Sequence, residues 1–323
     1  MVQFHSQHWF EDFELICPSG TVYRFNSGER CVMTFEGLGM PDINYITQRG
    51  PFQHGETMID FRLEKRIIQI LLRQDSCSRW DYWDLRADLI NKMRPNRSPY
   101  GTISPGQFVV SLPDASKRAV HVTIDGGSPR FGPRDLDQWD EWGYTETLRF
   151  IAHDPVWYDP TEVCDTLAIL ASDDELVFPI TFKNPVTNPD GTELVFQAGV
   201  IYIVTSVAYL GTWITFPNFV IQGPLYGPTI TNNSTGQKIK LNYNVLTGEE
   251  VSINLQYGQK SVVSDINGDI IGAVSDDSDL TGFHLEPDPG VVGGINEIVV
   301  SGGNAAIGTT QVDMSYFTRY IGI

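Results

Sequence analysis

The sequence predicts a mainly β protein with one α-helix in its first half and an antiparallel β-sandwich in its second. Runs with an apolar residue at every second position recur from TVYRF at 21 to VDMSYFTRYIGI at 312, the period of half-buried strands. Only SRWDYWDLRADLINKMRP, beginning at Ser78, keeps the spacing of a helix. Residues 161–323 contain no helical pattern of useful length, and turn signals separate their short strands, as in a sandwich. A chain of 323 residues is long enough for two domains with ordinary cores. Pro155 and Pro160 close the first half and the acidic SDDE (172–175) follows, so the expected domains are 1–160 and 161–323.

In chain order, TVYRF (21–25) and RCVMTFEG (30–37) read as strands, and GLGMPDINYITQRGPFQHGE reads as a Gly- and Pro-containing connection. FRLEKRIIQILLRQD (61–75) reads as one long strand. Ile68, Ile70 and Leu72 share one face and Ile67 and Leu71 the other, so burial on both faces is expected. In the helix, Ser78 is placed to cap, Asp81 sits in the first turn, Lys92 and Arg94 lie near the end, and Pro95 stops it. Trp80, Trp83, Ala87 and Ile90 form an apolar stripe, expected to be core. QFVVSLPD and AVHVTIDGG form a hairpin-like pair, and YTETLRFIAHDP leads to VWYDPTE.

In the second half, strands are expected in LVFPITFKNP, AGVIYIVTSVAYLG, TWITFPNFVIQG, SVVSDINGDIIGAV, FHLEP, NEIVVSG and VDMSYFTRYIGI. KIKLNYNVLTGEEVSINLQYG (238–258) reads as two strands joined by LTGEE: Ile239, Leu241, Tyr243 and Val245, then Val251, Ile253, Leu255 and Tyr257, alternate with polar residues. Asn267-Gly268 signals a tight hairpin.

Charge narrows the function. Forty acidic against 22 basic residues give −18; residues 1–160 carry 17 basic and 22 acidic groups (−5), and 161–323 carry 5 and 18 (−13). Phosphate backbones need clustered Lys and Arg, so specific nucleic-acid binding is not expected. MVQFHSQHWFEDFEL lacks a signal-peptide pattern and no window approaches about 18 apolar residues. The expectation is synthesis in a cytoplasm without membrane insertion. Cys17, Cys31, Cys77 and Cys164 have no CxxC spacing and read as reduced thiols. The sequons at Asn96, Asn232 and Asn233 read as loop asparagines.

Every candidate for chemistry has a plainer explanation. Asp265, Asn267 and Asp269 resemble the start of a calcium loop, but its sixth position is Ile270 and its twelfth Asp276, where Gly and Glu belong. His5 and His8 have no third ligand at useful spacing. Asp140, Glu141 and Glu146 lie among tryptophans in WDEWGYTE, as in a sugar-cleaving cleft, yet Asp140 and Glu141 are adjacent and point apart if extended. No nucleophile elbow, Walker loop or dinucleotide fingerprint occurs. No catalytic, cofactor-binding or metal residue is assigned, no cofactor is expected, and the protein is not expected to be an enzyme.

In order, the features resemble the siphovirus distal tail proteins. QRGPFQHGE (48–56) precedes FRLEKRIIQILL; a helix with Arg86 and Leu89 follows; HDPVWYDP (153–160) ends the first domain; GPLYGPTITNNSTGQKIKLNYNVLTGEEVSINL and VDMSYFTRYIGI complete the second. The resemblance implies a tube-like split β-barrel or sandwich domain followed by a galectin-like domain, in a ring of six copies at the distal end of the virion tail. The implied partners are other copies of the chain, the tail-tube protein above, and the tail-tip or baseplate hub protein, with the tape-measure protein, below. DNA would pass through the ring's channel. The alternative is a carbohydrate-binding β-sandwich module, and a glycosidase is the third possibility. Residues 161–323 hold one Trp (Trp213), one His (His284) and one Arg (Arg319), too few for the residue cluster of a galectin sugar site.

Overall fold

The computed structural model describes residues 12–17, 19–26, 30–76, 78–94, 96–97, 103–131, 142–169, 201–306 and 308–323. LVFPITFKNP, the SDDE stretch, His5, His8, Cys77, Asp140 and Glu141 lie outside them. The described chain divides into two compact units. The first runs to Pro160 and includes Arg319–Ile323; the second is Thr161–Thr318.

The first unit is built from antiparallel strands around an aromatic centre. Asp12–Ile16 lies between Val22–Arg24 and Gly106–Ser111, which pairs in turn with Lys117–Ile124. Arg66–Ser76 is flanked by Arg30–Glu36 and Trp142–Ala152. The far end of Lys117–Ile124 joins the two groups, through Thr123 opposite Ile151 and Ile124 opposite Phe150. Inward positions bring together Phe13, Phe25, Phe108, Phe150 and Trp157, all buried, with Phe108 5.8 Å from Phe150 and 6.3 Å from Trp157. Edge-to-face and tilted contacts at such distances add to the gain from area burial.

The expected long strand 61–75 is two elements. Thr57–Leu63 belongs to a hairpin with Ile43–Gln48, inside the segment expected to be a connection, and a new strand starts at Arg66. Ile68, Ile70 and Leu72 are fully buried, whereas Ile67 and Leu71 are only half-buried, so burial on both faces is incomplete.

The helix spans Arg79–Met93, and the Ser78 hydroxyl accepts the Asp81 N–H at 3.2 Å. Its orientation reverses the expectation. Leu89 and Met93 are buried, while Trp80, Trp83 and Ile90 are 79%, 49% and 46% exposed and Ala87 is exposed too. At about 100° per residue the centres of the two sets lie about 120° apart around the helix, with Ile90 next to Met93. A three-to-four spacing identifies an apolar stripe but not what covers it.

The second unit is a sandwich. In one sheet Asn218–Gln222 lies between Gln311–Tyr320 and Glu250–Asn254, which pairs with Ser261–Ser264. In the other, Ile295–Gly303 lies between Ile201–Ala208 and Leu225–Asn232, which pairs with Gln237–Lys240 and Asn244–Val245. Phe219, Ile221, Val251, Ile253, Val312 and Met314 from the first sheet share a core with Ile230, Ile239, Ile298 and Val300 from the second.

The two strands joined by LTGEE therefore do not pair with each other; the turn carries the chain between sheets. Glu249 holds it. Its carboxylate accepts the Leu246 N–H at 2.8 Å, the Ser264 hydroxyl at 2.5 Å, the Tyr243 hydroxyl and the Asn267 amide. The hairpin forms, with a turn at 265–267: Asn267 ends it, and Gly268, at φ 71°, opens the second short strand opposite Ser264. FHLEP contributes only the isolated bridge of Leu285 to Thr215. Asn232 is no loop residue: it ends a strand, is fully buried, and donates to the His284 carbonyl and the Asn296 side chain, each at 3.1 Å.

Two buried carboxylates respond to pH in opposite ways. Glu146 is fully buried and neither oxygen has a hydrogen-bond partner. Burial raises its pKa from 4.5 to about 8, against the attraction of Arg30 and Arg86. Its stabilising contribution is full below 4.5 and is lost as pH rises towards 8. For Glu249, burial alone would raise the pKa, but the hydrogen bonds from Ser264, Tyr243, Leu246 and Asn267 outweigh it and hold the value below 4.5. That contribution is present above 4.5 and lost as the acid protonates. Thermal melts across pH 4 to 8 are expected to show Glu146→Gln gaining stability over wild type as pH rises. Glu249→Gln is expected to be less stable than wild type at pH 7, by a margin that narrows towards pH 4.

Candidate assembly surface

The hairpin of Ile43–Gln48 and Thr57–Leu63 pairs with no other described strand. Its register puts Ile43 opposite Leu63, Tyr45 opposite Phe61 and Thr47 opposite Met58 on one face. Asn44 opposite Arg62, Ile46 opposite Asp60 and Gln48 opposite Thr57 form the other, with a register shift between Ile46 and Thr47 that leaves the exposed Ile59 unpaired. Strand geometry thus sorts the hairpin into an apolar and a mainly polar face. The apolar face is uncovered: Tyr45, Met58 and Phe61 are 55%, 62% and 43% exposed. An isolated two-stranded hairpin is marginal in water, and an apolar face of this kind marks a binding surface.

The tip is built rather than loose. Gln53 Oε1 accepts the Gly50 N–H at 2.9 Å, Gln53 Nε2 donates to Thr57 Oγ1 at 2.9 Å, and Arg49 Nε donates to the Gln53 carbonyl at 3.3 Å. This frame holds Phe52 fully exposed at φ 64°, a left-handed conformation that disfavours a bulky side chain.

The base is anchored by Arg66. The side chain is buried, and its guanidinium donates to the carbonyls of Pro155 at 2.6 Å, Gly37 at 2.7 Å, Ile321 at 2.7 Å and Gly39. It also lies 5.2 Å from the Trp157 ring centroid. Burial lowers its pKa to about 10, so it remains a cation at neutral pH. Gly37 and Gly39 begin the segment that leads into the hairpin. Gly37 is obligatory: its φ is 93°, and a Cβ there would lie 2.0 Å from the Ile67 carbonyl oxygen. Ile323 N–H donates to the Leu38 carbonyl at 3.1 Å, closing the C-terminus over the same point.

The residues weighed for chemistry are engaged otherwise. Glu146 faces the core. Asp265 Oδ1 accepts the Glu250 N–H at 3.0 Å, Asp269 Oδ1 accepts the Ile271 N–H at 2.9 Å, and Asn267 bonds Tyr243 and Glu249. His284 pairs with Glu286 at 2.7 Å and contacts Gln237 at 3.1 Å. Trp213 gives its carbonyl to the Tyr209 hydroxyl. Arg319 belongs to the first unit, where Nη2 donates to both oxygens of Asp154 at 2.6 and 2.5 Å. Among the described residues no three His, Cys, Asp or Glu side chains gather to hold a metal, and no helix is long and apolar enough to cross a membrane.

Comparison with known proteins finds a match for part of the second unit. Residues 210–320 match the family model of the siphovirus-type tail component, C-terminal domain. The crystal structure of the SPP1 Dit (gp 19.1) protein, described as a paradigm of the hub adsorption apparatus in phages infecting Gram-positive bacteria, has the same fold. It aligns at a TM-score of 0.62 and 13% identity over 95% of this chain and 98% of that one. Chains of the phage P2 baseplate in its activated conformation with Ca and with Sr align at TM-scores of 0.48 and 0.46, each at 8% identity, over 98% and 95% of this chain and 100% and 97% of theirs. No curated protein matches by sequence.

Arg66→Lys tests the anchor. One ammonium has three donors on a flexible stem and cannot reproduce the planar fork over four carbonyls. Leaving buried carbonyls unpaired is expected to cost about 2 to 4 kcal/mol, measured by denaturant unfolding. The hairpin is then expected to lose amide-exchange protection before the aromatic core does.

Proposed function

We propose that this chain is a distal tail protein of a siphovirus-type tail. Copies assemble through the first unit into a ring, expected to be a hexamer, that joins the tail tube to the tail tip or baseplate and leaves a channel for DNA. The second unit, read as a galectin-like sandwich, serves as an outward docking arm. One observation supports this most directly: residues 210–320 match a tail-component domain, and beside it the first unit carries an anchored hairpin with exposed Tyr45, Met58 and Phe61 on one face. A structural role needs such surfaces and needs no reactive group. Acidic residues outnumber basic ones in both halves, and a wall of that sign repels a phosphate backbone and lets DNA pass without adhering.

Native mass spectrometry of the full chain tests the ring. The expected result is a species at six times the 36.2 kDa chain mass, with a central opening in negative-stain images. Copies of net charge −18 repel one another, and this repulsion is screened over about 8 to 10 Å at physiological salt. The oligomer fraction is therefore expected to rise between 50 and 500 mM NaCl, measured by sedimentation velocity. A chain that stays monomeric throughout, including with purified tail-tube protein present, would contradict the proposal.

A further inference from the structure

We infer that Asn267 is a site of spontaneous covalent modification: its side-chain amide is lost through attack by the Gly268 backbone nitrogen, and the carboxylate left behind loosens the clamp that Glu249 makes between the two sheets of the sandwich. Asn267 is the only asparagine in the chain that is followed by glycine. Both residues are exposed, and Gly268, at φ 71°, has no heavy atom within 4 Å of the position a Cβ would take. With no side chain on the attacking residue, its nitrogen meets the least hindrance on the way to the Asn267 Cγ.

The reaction needs only water. The Gly268 nitrogen bonds to the Asn267 Cγ, the Cγ–Nδ2 bond breaks, and the proton of the attacking nitrogen leaves with the amide as ammonia. Water then opens the five-membered imide at either of its carbonyls, so that an aspartate or an isoaspartate stands at position 267. Nothing is oxidised or reduced.

The hydrogen bonds of Asn267 set both the rate and the consequence. Its Nδ2 donates to the Tyr243 hydroxyl at 2.6 Å and to Glu249 Oε1 at 3.5 Å. These bonds draw the amide towards the clamp, and attack waits on their opening. A carboxylate at position 267 has no proton to donate. Tyr243 already gives its one hydroxyl proton to Glu249, so its oxygen would face the new acid with nothing to offer, and Glu249 would meet a like charge where it now has a donor.

The effect reaches both sheets. The Gly223 N–H donates to the Glu249 carbonyl at 2.9 Å, and a Cβ at Gly223 would lie 2.0 Å from the Leu246 carbonyl oxygen. Gly223 lies between Asn218–Gln222 of one sheet and Leu225–Asn232 of the other. Two crossings between the sheets are therefore packed on each other, and the clamp secures both.

The test incubates the full-length protein in 18O-labelled water at pH 8 and 37 °C and maps its peptides by mass spectrometry over several weeks, so that only carboxylates formed during the incubation carry the heavy oxygen. Asn267 is expected to convert before every other asparagine, with isoaspartate among its products. Glu249→Gln, kept well below its own melting temperature, is expected to convert faster at Asn267 than wild type, because the clamp opens more often. Asn267→Asp is expected to lower the melting temperature by about 3 to 6 °C, and by less in a Glu249→Gln background, where no like charge faces the new carboxylate. Another asparagine converting first while Asn267 stays intact would overturn the site. Equal conversion rates in Glu249→Gln and wild type, or an Asn267→Asp melting temperature equal to that of wild type, would overturn the coupling to the clamp. None of these outcomes bears on the proposed ring.

Discussion

The first unit depends on a cation placed where no carboxylate answers it. Arg66 gathers the carbonyls of Gly37, Gly39, Pro155 and Ile321 and lies against Trp157. These groups come from the hairpin's root, the end of the first half and the C-terminus. A guanidinium suits this task because its fork presents several donors in one plane and its charge survives burial. Carbonyl dipoles and an aromatic face compensate it in place of an ion pair. The hairpin can thus project as a rigid arm, since the bonds at its base hold it.

That arrangement explains features that otherwise look unrelated. HDPVWYDP supplies both the Pro155 carbonyl and the Trp157 ring, and Trp157 in turn donates its indole N–H to the Leu38 carbonyl at 3.3 Å. Asp154 of the same segment takes Arg319, while Arg118 lies 3.8 Å from the Tyr320 ring centroid. Residues from the hairpin's root, from 154–157 and from the C-terminal end are therefore held in one network. Shortening the C-terminus by a few residues would remove an acceptor from Arg66 and the ring over Arg118 together.

Much of the fold was legible because period-two alternation reports half-burial directly. Val120 and Val122, or Val251 and Ile253, are buried where the alternation places them. What the pattern could not report was the partner. The strands flanking LTGEE alternate like a hairpin, but their pairing is set by the core they share with other strands. The stripe Trp80, Trp83, Ala87 and Ile90 has helical spacing, yet Leu89 and Met93 took the inward side. Glycine and proline concealed the strand Ile43–Gln48, although Ile43, Tyr45 and Thr47 alternate with Asn44, Ile46 and Gln48 there. Arg66 read as one more basic residue on a strand, since nothing local indicates that four distant carbonyls converge on it. Of the candidate surface, the sequence showed the apolar residues and hid their exposure.

Charge is divided unevenly between the halves, whereas large apolar residues are exposed in both. The half with the uncovered hairpin and helix faces carries −5, and the other carries −13. Like-charged copies repel over a Debye length, whereas apolar contact acts only where surfaces touch. A contact through the less charged half therefore works against weaker repulsion. The more acidic half gains by staying apart, because repulsion there opposes collapse of neighbouring sandwiches onto each other and favours their presentation to a different partner. In the proposed ring, contacts made through the first half would thus meet less like-charge repulsion than contacts made through the second.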